Sequence, residues 1–425
     1  MTAPSKASRL PHSRLLPIAA SHAFGLLCGV AGVKLTSTLL PPADMGRLGV
    51  FLSFAPLGMW VVHIGLIKFI TRHWAGATDQ AALRRTRTAA FFRLLPWLAG
   101  ATAAAALSFG LANWPANFAL LFTTAALLSW SALAQAELQA AQLHWRDFAV
   151  SATASLSRSF LPAGLYWFTD GASWSLFAGL ALHGLAAAVA GQLALRPARS
   201  TSDSNTAPAL ENAYAGPLFV VLSLNGWVMS GLQRWVTAAF FGAEKAGYVT
   251  LASNLATLVP AILGTIFLQY FQPGFFAATL TSDADRHALA RRIDRAAFTH
   301  GACAIGALLA LRFIAPFLVG PIIGESYRAA LGYLLPTGCA MLALVTGWFY
   351  HSLLLAGRRE AACSYVELTA AAVILLGSVA AAAVNRTCWE TWCMVTPLLP
   401  WLINRPLARR YFFMMAAAPA PAPAR

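Results

Sequence analysis

The sequence predicts an all-α integral membrane protein of about 12 transmembrane helices, in two six-helix lobes with internal pseudo-symmetry. Three observations point there: an apolar, charge-poor composition, a succession of bilayer-length runs, and an uneven split of Lys and Arg between alternate connections. Of the 425 residues, 58% are hydrophobic and 11% charged. A soluble domain carries about 25% charged residues. The apolar residues number about 246, and twelve spans of about 20 residues need roughly 240. Mean hydropathy is +0.63. A soluble enzyme is excluded. The net charge of +15 would suggest nucleic acid in a soluble domain. In a membrane chain the cytoplasmic connections collect Lys and Arg instead, so no nucleic-acid partner is expected.

Apolar runs long enough to span lie at about 15–40, 47–70, 91–112, 118–138, 149–169 and 173–194 in the first half of the chain. The second half holds runs near 216–241, 247–271, 297–319, 329–355 and 361–384, with a short twelfth at about 391–404. The first run is too long for a signal-peptide core and is expected to be retained. These runs organise the chain as an amino-terminal lobe (1–194), a cytoplasmic linker (195–215) rich in Ser, Thr and Asn, a carboxy-terminal lobe (216–410) and an Ala/Pro tail (411–425). The tail repeat cannot pack and is expected to be disordered.

Alternating the connections tests this count. With the amino terminus cytoplasmic, inside segments hold 20 of the 30 Lys and Arg, and outside connections hold only Arg47, Lys245, Arg328 and Arg386. Such a bias supports an even number of spans with both termini cytoplasmic. No connection is long enough for a folded catalytic domain, which needs about 50 residues. The six cysteines show no metal-ligand spacing; four sit in apolar runs, and Cys388 and Cys393 could pair in an oxidising compartment.

The two halves begin alike. Lys34 precedes the turn Pro41-Pro42-Ala43-Asp44-Met45-Gly46, and Arg234 precedes Gly242-Ala243-Glu244-Lys245-Ala246-Gly247, with cation-to-glycine separations of 12 and 13. Repeated halves with a site between them are a common transporter architecture. The stretch Leu39–Gly46, with Gly65-Leu66-Ile67 and Thr71-Arg72, resembles the amino-terminal signature of bacterial polysaccharide-biosynthesis flippases. These are the Wzx-type (O-antigen and exopolysaccharide) members of the multidrug/oligosaccharidyl-lipid/polysaccharide exporter superfamily. Gln233-Arg234-Trp235 with Phe241-Gly242 and Ala246-Gly247-Tyr248 is similar to their seventh- and eighth-helix signature, and Gly324-Glu325-Ser326-Tyr327 resembles the turn before the tenth. This chain departs from the pattern at Thr38, where the family often has Arg, and at Gln233, where it often has Asp.

The resemblance implies translocation of a polyprenyl-pyrophosphate-linked oligosaccharide from the cytoplasmic to the periplasmic leaflet of the bacterial inner membrane. It implies alternating access coupled to a proton or sodium ion, with no enzymatic step, cofactor or metal. The expected partners are the undecaprenyl-pyrophosphate-type lipid-linked oligosaccharide, the coupling ion, the lipid bilayer, and polysaccharide polymerase with other glycan-assembly proteins.

A cation at the centre of a membrane helix costs about 2.5–3.5 kcal/mol on insertion scales, so it usually faces a wet cavity. Lys34, Arg234 and Arg312 fall in the outer halves of their runs and Arg158 nearer the middle, whereas Lys68 and Arg93 can snorkel to the inside edge. Lys34, Arg158, Arg234 and Arg312 are therefore the candidate substrate-binding residues. Guanidinium grips phosphate oxygens in bidentate fashion and lysine offers a point charge. Glu367 is the acidic residue deepest within a run and the candidate ion-coupling group. His63, His183, His300 and His351 read as packing residues. Trp60, Trp97, Trp167 and Trp401, near run ends, read as an interfacial belt. The alternative function is a multidrug/cation antiporter of the same superfamily, for which a carboxylate-lined cavity would be expected. A membrane glycan-assembly enzyme would need a converging acidic pair that the outside connections lack, and a scaffold would need no site at all.

Overall fold

A computed structural model describes residues 12–74, 79–110, 113–195, 217–276, 278, 280, 282–357 and 359–414. The predicted linker from 196 to 215 and the predicted tail from 415 onward lie outside them. Fourteen α-helices make up the described residues: α1 (His12–Leu39), α2 (Pro42–Phe54), α3 (Ile64–His73), α4 (Gln80–Ala106), α5 (Trp114–Ala140), α6 (His144–Phe168) and α7 (Ser173–Ala194). After the linker come α8 (Pro217–Ala256), α9 (Leu258–Phe276), α10 (Asp283–Leu318), α11 (Leu334–Ala356), α12 (Glu360–Val384), α13 (Arg386–Val395) and α14 (Arg405–Phe413). The one strand-like feature among the described residues is an isolated bridge between Val319 and Ile323.

All twelve predicted runs fall on helices, but nine helical stretches among the described residues are long and apolar enough to cross a membrane. The difference has three sources. The predicted seventh and eighth runs merge into one apolar stretch, Gly231–Phe276. The fifth, on α6, carries Arg158 among several serines and is too polar to count as an independent span. The twelfth is broken by a 3-10 turn at Thr396–Leu398 and a π-turn at Pro400–Asn404, both opened by prolines. Earlier in the chain, Pro56 precedes a second π-turn, Gly58–Val62, which divides the second span. Pro96, Pro162 and Pro316 are accommodated within helices.

The chain divides into two compact units, Met1–Leu35 with Ala55–Ala215, and Thr36–Phe54 with Gly216–Arg425. In the first, α7 packs on α5 and α6 through small residues. A Cβ on Gly179 would meet the Pro162 backbone at 2.5 Å, and one on Gly191 would meet the Ala134 side chain at 2.9 Å. Small residues let helix backbones approach closely where lipid provides no hydrophobic drive. The charges at one end of this unit are gathered rather than exposed. Glu137, 1% exposed, accepts from Arg84 Nε at 2.7 Å and from Arg87 Nη1 at 3.0 Å. Arg84 also lies over the Trp74 ring and Arg87 over Trp130. Asp79 caps α4 by accepting from Ala82 N at 2.8 Å.

In the second unit α11 is the axis, with 72% of its apolar window buried. Around it, Phe275, Ile293, Phe349, Leu354, Val366 and Phe412 form a continuous core. Asp294 binds Arg405 at 3.2 Å and also pairs with Arg409, so α10 is tied to α14. By contrast, α10 exposes Phe313 and Phe317 at 76% and 80%. A large exposed apolar face is the natural surface of a chain in lipid and a liability in water.

The two matched turns of the sequence meet directly within this unit. A Cβ on Gly46 would lie 2.0 Å from the Ala243 carbonyl oxygen, and one on Gly247 would lie 1.8 Å from that of Pro42. One step along, Gly49 abuts Thr250. The pairs are reciprocal: 42 with 247 and 46 with 243 exchange under a shift of 201 residues, and 49 with 250 obeys the same shift. That is the signature of a two-fold relation between α2 and α8, whose own turn is made by Gly242 at φ 85°. The left-handed backbone there favours glycine. The third signature turn joins the same cluster. Ser37 Oγ accepts from Gly324 N at 3.0 Å, and Tyr327 donates to the Leu40 carbonyl at 2.9 Å.

All six cysteines are free thiols, so the expected pairing of Cys388 with Cys393 does not form. The two are five residues apart on α13 and point to different faces, one exposed and one buried against Gln233 at 3.1 Å. Trp60 and Trp167 are exposed near helix ends, as a belt requires, whereas Trp97 is exposed in the interior of α4 and Trp401 packs edge-on to Tyr350 at 6.0 Å.

Two predictions follow from this packing. Replacing Gly247 by Ala places a methyl group against backbone, and is expected to cost about 1–3 kcal/mol, read as earlier thermal unfolding of the detergent-solubilised protein by tryptophan fluorescence. Replacing Glu137 by Gln leaves two arginines buried around a neutral group. A loss of about 3–5 kcal/mol is expected by the same assay, whereas changing the exposed Arg85 to Gln should leave the transition where it is.

Candidate functional site

The predicted cations are distributed over both units, and each is positioned by its own helix contacts. In the first unit α1 lies against α6. A Cβ on Gly25 would meet Ser155 at 3.6 Å, and one on Gly32 would meet Ser159 at 2.9 Å. Those contacts set the depth at which the two helices present their charges. Arg158 adjoins the contact residue Ser159, and Lys34 lies half a turn beyond Gly32. Lys34 is half-buried and Arg158 exposed. Next to Arg158 in sequence, the hydroxyl of Ser157 lies 2.9 Å from His183 Nδ1. The structure thus brings Lys34 and Arg158 to neighbouring helices at similar depth.

In the second unit Arg234 is half-buried on α8, and its guanidinium donates to Asn254 Oδ1 on the same helix at 3.3 Å. Its neighbour Gln233, which replaces the family's acidic residue, is buried and turned toward Cys393. Arg312 has a different setting. It is exposed on α10, six residues from the helix end and flanked by Phe313 and Ile314, both exposed. A guanidinium so placed is within snorkelling reach of the interface.

Glu367 lies on α12 and is 2% exposed. Its carboxylate contacts His351 Nε2 on α11. Glu367 lines a small cavity of about 10 Å³, large enough for a single water. Gly347, Leu344, Ile374 and Asn404 complete its wall. Asn404 is brought there by the π-turn Pro400–Asn404, and its amide sits over Gly347, where a Cβ would approach Nδ2 to 3.0 Å. Single π-turns inside helices often mark functional positions. The arrangement can hold a proton between carboxylate and imidazole, or a desolvated ion between carboxylate and amide oxygens.

The other three histidines make local contacts: His63 Nε2 with the Phe91 carbonyl at 3.4 Å, His300 Nε2 with that of Pro260 at 3.2 Å, and His183 with Ser157. Among the four, His351 alone contacts a carboxylate among the described residues. Sequence reasoning read His351 as a packing residue, where the structure sets it against Glu367, and did not single out Asn404 or Glu137. A His sixteen residues before a Glu carries no helical-face signal, because the two lie on different helices. The proline pair at 397 and 400 was the available hint to Asn404.

No described protein family matches the sequence, and no curated protein does. Comparison of the fold with solved structures is informative. The chain is similar to an inward-facing multidrug resistance MATE family transporter of the MOP superfamily, with TM-score 0.57, 12% identity, and 96% of this chain and 100% of that chain covered. It is also similar to a MATE transporter in complex with MaL6, with TM-score 0.59, 13% identity and 95% and 94% coverage. A third likeness is to a MATE transporter in the straight conformation, with TM-score 0.51, 13% identity and 93% and 94% coverage. At such identities the likeness is one of fold. The chain is an all-α membrane protein whose fold, over almost its whole length, is that of the MATE transporters.

Proposed function

We propose that this protein is an ion-coupled transporter that works by alternating access across the bacterial inner membrane. The observation that carries the proposal is the fold shared with MATE transporters over nearly the entire length of both chains. Proteins built as two repeated halves move substrate by rocking one half against the other about a central site. The coupling group is Glu367, with His351 against its carboxylate and Asn404 lining the same cavity.

Two substrate classes fit this transporter. The fold neighbours include a multidrug resistance transporter, which supports export of amphiphilic small molecules as the first reading. The second is translocation of a lipid-linked oligosaccharide, favoured by one particular observation. The cations Lys34 and Arg158 stand at neighbouring depth on α1 and α6. Cations held within membrane spans suit a pyrophosphate better than a cationic drug.

Proteoliposomes bearing an ion gradient test both. Gradient-driven movement of a cationic dye that is unaffected by Lys34→Gln and Arg158→Gln supports the exporter. Translocation of an undecaprenyl-pyrophosphate-linked glycan that falls with either change supports the flippase. Each lost charge-assisted contact to phosphate is worth about 1.5–3 kcal/mol, or roughly 10- to 100-fold in rate. Movement of neither probe refutes transport of these classes. In either case Glu367→Gln is expected to abolish stimulation by the ion gradient while leaving downhill exchange. Full stimulation in that variant removes Glu367 from coupling.

A further inference from the structure

A second cavity in the 216–425 unit lies apart from the Glu367 site. It has a volume of 340 Å³, at the lower end of the range for small-ligand sites. Its floor includes apolar side chains: Phe276 at the end of α9, Leu280 in the following connection, Ala356 at the end of α11, and Phe412 on α14. Two arginines stand at its rim, Arg286 in the first turn of α10 and Arg359 at the cap of α12. Arg286 also reaches Asp283 at 3.4 Å, but that carboxylate is 74% exposed, so the pair is open to competition. Arg291, Arg292 and Arg295 are also exposed on α10. Arg292 Nη2 lies over Gly274, beside the cavity.

These connections are the ones that the charge bias assigns to the cytoplasmic side. A pocket that sets two guanidinium groups beside apolar side chains, in connections next to the ends of spans, suits one chemistry: a phosphate headgroup with acyl chains. We propose that this cavity binds an anionic phospholipid of the inner leaflet, its phosphate between Arg286 and Arg359 and an acyl chain along the Phe276–Ala356–Phe412 wall. Basic pockets between membrane helices on the cytoplasmic side bind anionic headgroups through charge that a zwitterionic lipid largely cancels. The site binds its lipid whether the cargo is a drug or a glycan, because none of its residues belongs to the coupling or cation sites.

The test is native mass spectrometry of the full chain in micelles containing equal phosphatidylglycerol and phosphatidylcholine, with transport measured in parallel. Wild-type protein is expected to retain phosphatidylglycerol with a preference of roughly tenfold or more. The double change Arg286→Gln with Arg359→Gln should erase the preference, and Arg286→Lys with Arg359→Lys should restore most of it. Ala356→Trp, which fills the floor, should lower retained lipid of both kinds, and Arg291→Gln, outside the cavity, should change nothing. An unchanged preference in the double glutamine variant overturns the proposal. Equal thermal stabilisation by inorganic phosphate alone also overturns it, since that would make the site one for a free anion rather than a lipid. Loss of transport with the preference intact would count against the transporter proposal alone.

Discussion

In hydrocarbon no water is present to satisfy a backbone amide or a charge, and that constraint organises everything else in this chain. Backbone groups must pair within their own segment, so the spans are helices. Helices in lipid gain little from burying apolar surface against one another, so they associate by close approach of small residues. The approach of α2 to α8 is of this kind. Gly46 and Gly247 let α2 and α8 touch backbone to backbone, and their reciprocal pairing with Ala243 and Pro42 records the repeat within the chain. The signature turns thus have a packing role that can be stated atom by atom.

The same constraint sorts the charges. Each unit gathers two arginines on one carboxylate, Arg84 and Arg87 on Glu137, and Arg405 and Arg409 on Asp294. Clusters of this composition keep a net positive charge while satisfying the buried acid, which reconciles a strongly basic chain with a membrane interior. They are structural fixtures, because removing a partner from a buried pair leaves a charge with no water to solvate it. Glu367 is different in kind. It pairs with a histidine, the side chain whose charge changes most readily near neutral pH, and it borders a water-sized cavity. A group that can change protonation or ligation is suited to coupling, whereas one clamped by two guanidinium groups is not.

The fold likeness to MATE transporters carries architecture and not cargo, since one fold hosts several substrates and the distinction lies in the lining of the site. The groups proposed for cargo and ion differ in charge: Lys34 and Arg158 suit an anion and Glu367 with Asn404 a cation, whereas Arg312 sits among exposed apolar residues on α10. A transporter that moves a substrate against an ion must offer sites for both, and the two kinds of group lie on different helices.

Membrane class, helical content, the positions of the apolar runs and the matched turns at 41–46 and 242–247 were all readable from hydropathy, charge spacing and glycine placement. These are properties of short segments in oil, and short segments carry their own solvation energy. The span count was legible only in part. The polar α6 and the proline-broken stretch from Arg386 to Phe413 fall below the hydropathy of an independent span, and only the surrounding helices account for them. Partnerships were decided by the tertiary fold. His351 with Glu367, Asn404 over Gly347, Arg87 with Glu137 and the arginine-rimmed cavity at Arg286 and Arg359 all join residues from separate helices. Which face of a helix turns toward which neighbour depends on packing summed over many contacts, a quantity that no local stretch of sequence contains.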